Sequence, residues 1–173
     1  AQHRLPLQED ELGRGHLVLG DGGRGDERLI GEAVAGRVEA RFVREWGTEP
    51  GYVGLLAQRC RAAQREGANV GFTARSLPGC ILEAGDPYRV SLLETSRLVA
   101  DRAGLGDNWS FAFQSESPTG EPWLGPDILD HLVDLSRDGV SAVLACPVGF
   151  VSDHLEIRWD LDVEARDRAA KLG

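Results

Sequence analysis

The chain has 173 residues, 42% hydrophobic and 6% aromatic, which is globular composition with enough length for one domain with a proper core. Its formal net charge of −9 and pI near 4.9 exclude binding of nucleic acid or an anionic membrane surface by bulk electrostatics and favour a cationic ligand. No run is long and apolar enough to span a bilayer, and no charged-then-apolar leader precedes a cleavage site, so the expected compartment is the cytosol. Cys60, Cys80 and Cys146 are odd in number, far apart and without a C-x-x-C pair, which predicts free thiols rather than a disulfide framework or a zinc site. Cys60 and Cys146 stand at packing positions, and Cys80 is the accessible one. The absence of any methionine, and a stop inside a pattern that could continue, point to a piece of a longer protein.

Residues 1 to about 26 scatter Arg, Gly, Asp and Glu around one short apolar run, His16-Leu17-Val18-Leu19, and no structure is expected there. Asp21-Gly22-Gly23-Arg24-Gly25-Asp26 lacks both the following Lys-Ser/Thr and the G-x-G-x-x-G spacing of a phosphate loop, so it reads as a flexible turn. Val38, Ala40 and Phe42 then alternate as a short strand, and Thr48-Glu49-Pro50 starts a helix whose Val53, Leu56, Ala57, Cys60 and Ala63 share a face, with Gly67 ending the run. Asn69 to Thr73 is a strand; Asp86-Pro87 opens a helix closing at Gly104; Trp109 to Phe113 is a strand; Pro126-Asp127 opens a helix ended by Asp138-Gly139. Val140 to Cys146 reads as a central, near-continuous apolar strand.

Strands alternating with helices in this order predict an α/β doubly wound parallel sheet. In such sheets ligands bind outside the carboxyl ends of the strands. The segments placed there are Ala74-Arg75-Ser76-Leu77-Pro78, Gln114-Ser115-Glu116-Ser117-Pro118 and Pro147-Val148-Gly149-Phe150. The last runs into a predicted helix over residues 150–164 that carries Glu156, Asp160 and Glu164 at i, i+4 and i+8, three carboxylates on one stripe. Ile157, Leu161, Ala165, Ala169 and Leu172 form the adjacent apolar stripe expected to hold it on the domain. Like charges at this spacing each cost roughly 0.2–0.5 kcal/mol, so a positive group is expected beside Glu156 and Asp160. Glu164 has Arg168 at ion-pair spacing and fits a solvated acidic face as well as it fits a cation site.

Four ordered motifs carry a resemblance. Phe72-Thr73-Ala74-Arg75-Ser76-Leu77-Pro78, Phe113-Gln114-Ser115, Pro122-Trp123-Leu124-Gly125-Pro126 and Gly149-Phe150-Val151-Ser152-Asp153-His154-Leu155-Glu156 resemble those of bacterial ferrochelatases, which insert Fe²⁺ into coproporphyrin or protoporphyrin in haem biosynthesis. The resemblance covers residues 37–173 as the C-terminal, Rossmann-like lobe of the family and leaves residues 1–36 unplaced. It implies a catalytic, metal-handling carboxylate at Glu156, a cation route through Asp160 and Glu164, and porphyrin contacts from Ser76, Pro78, Gln114, Ser115 and Trp123. It also implies Fe²⁺ as substrate, a porphyrin partner, and a first lobe outside these residues; an iron-sulfur cluster is not expected in this chain. Oxygen ligands suit an ion that must be held and then surrendered to four nitrogens.

The departure falls where the family has a histidine facing the carboxylate: here it is Arg75. Arginine stays protonated, so it can neither act as base nor ligate a cation, and the expectation is that it pairs with Glu156. His154 precedes Glu156 by two residues and is expected to be structural; His131 is expected at the surface or its boundary. Two alternatives stand beside the ferrochelatase reading, a non-catalytic porphyrin- or metal-binding lobe and a cobalt chelatase acting on an earlier tetrapyrrole.

Overall fold

The computed structural model describes residues 8–9, 15–19, 24–34, 39–42, 46–152 and 154–173. The chain divides into two compact units, Ala1–Glu49 and Pro50–Gly173. In the first unit β1 (Gln8–Glu9) pairs antiparallel with β2 (Gly15–Leu19), and β2 pairs parallel with β3 (Glu39–Phe42), with α1 (Arg24–Val34) between them in the chain. The apolar run from His16 to Leu19 is therefore a strand, and Arg24 to Asp26 begin a helix where a turn was expected; residues 21–23 lie outside the described residues.

The second unit holds the predicted alternation: α2 (Pro50–Ala63), β4 (Asn69–Arg75), the short α3 (Cys80–Glu83), α4 (Tyr88–Ala103), β5 (Trp109–Gln114), α5 (Ile128–Arg137) and β6 (Val143–Cys146). All three strands are parallel in the order β5-β4-β6. β4 is therefore central, and every residue from Asn69 to Ala74 is buried, as a strand covered on both faces must be. Val70 and Phe72 pack with Val53, Ala57, Cys60, Val99 and Ala100 of α2 and α4. On the opposite face Ala112 packs with Ile128 and Leu132 of α5 and with Ala165. Layers on both faces make this an α/β doubly wound sheet.

Two local rules set the boundaries. Gly104 closes α4 in the left-handed conformation at φ 74°, and Asp127 caps α5 by accepting the Leu129 N–H at 2.8 Å. The strand expected from Val140 starts only at Val143 and lies at the sheet edge rather than its centre. The reason is capping: the Val140 N–H donates to the Leu135 carbonyl at 3.0 Å to finish α5, and is lost to the ladder.

The last segment differs most from expectation. Phe150 to Ser152 are loop, α6 spans Leu155–Trp159, a π-helical stretch runs through Asp160–Ala165, and α7 covers Arg166–Leu172. The i→i+5 segment begins at Asp160, the second of the three carboxylates, and contains Glu164, the third. The apolar stripe holds only as far as Ala165: Ala169 and Leu172 are exposed, on the rim of a cleft of 280 Å³ between α5, β6 and α7.

Candidate active site

The exits of β4, β5 and β6 converge as the topology requires, and backbone hydrogen bonds stitch them together. After β4, Ser76 N–H donates to the Gln114 carbonyl at 2.7 Å, and Gly79 N–H to the Pro122 carbonyl at 2.7 Å. Leu124 N–H returns to the Leu77 carbonyl at 2.9 Å, so the Ser76-Leu77-Pro78 and Pro122-Trp123-Leu124 motifs are one structural unit. After β6, Gly149 N–H donates to the Thr73 carbonyl at 3.1 Å. A Cβ on Gly149 would lie 2.6 Å from the Ala74 Cβ, so only glycine lets this loop lie directly on β4.

Arg75 is the last residue of β4 and the first to emerge from the buried run. Its carbonyl accepts the Tyr88 hydroxyl at 3.0 Å, and burial, slightly opposed by the Arg75 charge, pushes the Tyr88 phenol up to about 12. Tyr88 is thus a fixed neutral donor. The Arg75 guanidinium pairs with the Glu156 carboxylate, their side chains 40% and 32% exposed. Burial alone would raise the Glu156 carboxyl. The Ser115 hydroxyl, whose single proton Glu156 shares with Asp160, the hydrogen bond from Arg75, and the charges of Arg75 and His154 outweigh it and hold Glu156 below the usual carboxylate range. With both partners this exposed the pair is worth about 1 kcal/mol or less; its importance is chemical, because it keeps Glu156 ionised and matched to a cation.

One turn on, Asp160 is held from β5. The Ser115 hydroxyl donates to its carboxylate and the Gln114 amide Nε2 donates to Oδ2 at 3.4 Å. Ser115 achieves this at φ 64°, the only non-glycine with a positive φ among the described residues, a conformation that costs on the order of 1 kcal/mol or more and persists only where its surroundings over-determine it. The Asp127 carboxyl is pushed up by burial, opposed by its cap hydrogen bond, and raised further by the charges of Asp130, Glu116 and Asp160. Negative charge therefore accumulates on this side of the site, with Arg75 against it on the other.

The structure sorts the expected site residues. Arg75, Glu156, Asp160 and Ser115 come together; Pro78 and Trp123 form the bridged loop beside them, where the Trp123 indole donates to Thr119 Oγ1 at 2.8 Å. Glu164 is exposed and lines an open cleft with Asp130, Trp159, Asp167, Arg168 and Lys171. Ser76 and Gln114, expected against the porphyrin, are 1% and 0% exposed: Ser76 Oγ is bonded to the Leu124 carbonyl, and Gln114 acts from behind on Asp160. Among the described residues no three His, Cys, Asp or Glu side chains converge as a ready cation site. His154 is exposed and stands edge-on to Phe150 at 5.2 Å rather than in a buried hydrogen bond, and His131 is half-buried, its imidazole pushed below the usual histidine range by burial against the pull of Asp134. The motifs do not announce an apolar rim, yet Val151, Leu155 and Trp159 are 70%, 82% and 55% exposed beside the carboxylates, and their i, i+4, i+8 spacing is the signal the sequence carries for it.

The family model described as Ferrochelatase matches residues 27–173. The chain belongs to the ferrochelatase family. The match begins ten residues ahead of residue 37, where the motif resemblance was placed. Among curated ferrochelatases, that of Deinococcus radiodurans is 42% identical over 146 residues, covering 80% of this chain and 46% of the relative. The ferrochelatase of Herpetosiphon aurantiacus is 41% identical over 143 residues, with 79% and 47% covered. The coproporphyrin III ferrochelatase of Nocardia farcinica is 47% identical over 124 residues, with 67% and 35% covered. The chain thus spans about half or less of the length of these relatives.

Proposed function

We propose that this chain is the carboxylate-bearing half of a ferrochelatase, serving the insertion of Fe²⁺ into coproporphyrin III or protoporphyrin IX in the cytoplasmic part of haem biosynthesis. The observation that carries the reading is Glu156, ionised and presented where three strand exits meet, inside the family's motif set. Insertion exchanges two pyrrole protons for one dication. Glu156 is the group able to accept a proton at that mouth, and Asp160 the next oxygen ligand inward. Glu164, exposed on an open cleft, is the entry end of the cation route. Oxygen donors exchange quickly enough to release the ion to the ring nitrogens. Ser115, Pro78 and Trp123 border the macrocycle, and the exposed Leu155 and Trp159 extend that apolar edge.

Arg75 takes the place of the imidazole and cannot take a proton from the ring. It neutralises Glu156 instead, so this chain by itself turns over little or not at all. The same ion pair favours the second reading, a lobe that binds porphyrin or metal without turnover. Anaerobic mixing of the purified chain with Fe²⁺ and coproporphyrin III tests both: each expects porphyrin to quench the fluorescence of Trp123 or Trp159, with metalloporphyrin formation far below that of a full-length relative. Insertion at a full-length rate that Glu156→Gln abolishes would overturn the assignment of impairment, and no fluorescence change would remove porphyrin binding. Co²⁺ in place of Fe²⁺ tests the cobalt-chelatase alternative.

A further inference from the structure

On one side β4 outruns its neighbour. β5 follows it as far as Gln114 opposite Arg75, whereas β6 pairs with it only as far as Cys146 opposite Phe72. In a parallel ladder alternate residues address the same neighbour, so the backbone groups of Thr73 and Arg75 that a longer β6 would have bonded need other partners. The Thr73 carbonyl takes the Gly149 N–H at 3.1 Å, and the Arg75 carbonyl takes the Tyr88 hydroxyl at 3.0 Å. A side chain from α4 thus stands in for a strand at the residue that pairs with Glu156.

Tyr88 is itself well fixed. It is the first residue of α4, and its N–H donates to Asp86 Oδ1 at 2.8 Å. Its ring packs against the buried cluster of Ala74, Phe113 and Leu124. The peptide between Arg75 and Ser76 is consequently held at both polar ends, the Arg75 carbonyl by Tyr88 and the Ser76 N–H by the Gln114 carbonyl at 2.7 Å. That planar unit sets the direction in which the side chain of residue 75 leaves the strand. The guanidinium beyond it is 40% exposed, so its aim at Glu156 depends on the root from which it starts.

We propose that Tyr88 is a positioning residue of the site: its hydroxyl takes the place of a ladder partner, fixes the peptide that follows Arg75, and so aims the side chain of residue 75 at Glu156. Tyr52 supplies the natural comparison. It makes the same kind of bond from α2, donating its hydroxyl to the Val148 carbonyl at 2.9 Å, but braces the exit of β6 rather than that of β4. The assignment concerns how the site is held, and it stands whether or not the chain inserts iron.

The test measures the coupling between Arg75 and Glu156 in the full chain. Urea unfolding of the parent, Arg75→Ala, Glu156→Gln and the double variant gives the factor by which one member of the pair alters the effect of the other on the folding equilibrium constant. A pair this exposed gives a factor of about two to five. Tyr88→Phe keeps the ring in its cluster and loses only the hydroxyl; it is expected to lower the folding constant roughly three- to tenfold and, when the cycle is repeated in its background, to abolish the coupling. Tyr52→Phe is expected to lower the folding constant by a similar factor and to leave the coupling at its parent value. A tyrosine with a merely structural role would lower the constant without touching the coupling. Coupling that survives Tyr88→Phe, that disappears equally with Tyr52→Phe, or that is already absent from the parent would overturn the proposal.

Discussion

Gly149→Ala isolates the contact on which the convergence of the loops depends. The added Cβ would lie 2.6 Å from the Ala74 Cβ and 3.0 Å from the Ala74 Cα. Carbon atoms rest at about 3.5–4.0 Å, so one of the two segments has to retreat by about 1 Å. Neither does so freely: Ala74 is 0% exposed in the central strand, paired with Phe113 of β5, and Gly149 is tied to the Thr73 carbonyl. Overpacking of this kind costs about 1–3 kcal/mol, and the strained or broken backbone hydrogen bond adds about 1 kcal/mol. The loss for Pro50–Gly173 is therefore about 2–4 kcal/mol. With a urea m-value of about 1–3 kcal/mol/M, the midpoint falls by about 1–2 M at unchanged m, read by tryptophan fluorescence and far-ultraviolet circular dichroism. Ala74→Gly removes the nearer clashing atom, so the double variant is expected to be more stable than the sum of the singles by about 1 kcal/mol or more. A Gly149→Ala protein within about 0.5 kcal/mol of the parent would refute the close approach.

Three further outcomes are expected. Ser115→Gly and Ser115→Ala both lose the hydroxyl on Asp160, but only glycine accepts φ 64° without strain, so the glycine variant is the more stable by about 1 kcal/mol in urea unfolding; the reverse order would place the residue in another conformation. Glu156 has a depressed folded pKa, so its contribution is present above the unfolded carboxylate value and lost as pH falls through the folded one; the stability of Glu156→Gln relative to the parent should therefore improve on acidification, and a pH-independent difference would contradict the pairing. Asp127 is raised, the opposite sign: Asp127→Asn keeps the cap and removes repulsion from Asp130, Glu116 and Asp160, giving a small gain at neutral pH that disappears in acid, measurable by thermal unfolding.

The parts of this molecule that obey local rules were legible in its sequence. Gly104 and Asp127 announce helix ends, the alternation of apolar strands with amphipathic helices gives the parallel sheet, and the motifs around Arg75, Trp123 and Glu156 locate the mouth. The hidden parts depend on competition between elements. An i, i+4 pattern of carboxylates is compatible with an α-helix, and nothing in it announces that Asp160–Ala165 widens into a π turn. The late start of β6 comes from a hydrogen bond that α5 claims first. Ser76 and Gln114 carry polar side chains at strand ends, where exposure is the ordinary expectation; their burial is set by the Leu124 carbonyl and by Asp160, partners that sequence spacing does not reveal.

The central claim is that Glu156 is a working ferrochelatase carboxylate held in check by Arg75. Its most direct measurement joins this chain to the N-terminal half of the Deinococcus radiodurans relative and follows anaerobic iron insertion into coproporphyrin III. A positioned base is worth about 10²–10⁴ in rate, so Arg75→His should raise insertion by at least about a hundredfold, and adding Glu156→Gln should abolish the gain. Equal rates with arginine and histidine, or a gain that survives the loss of Glu156, would contradict the account.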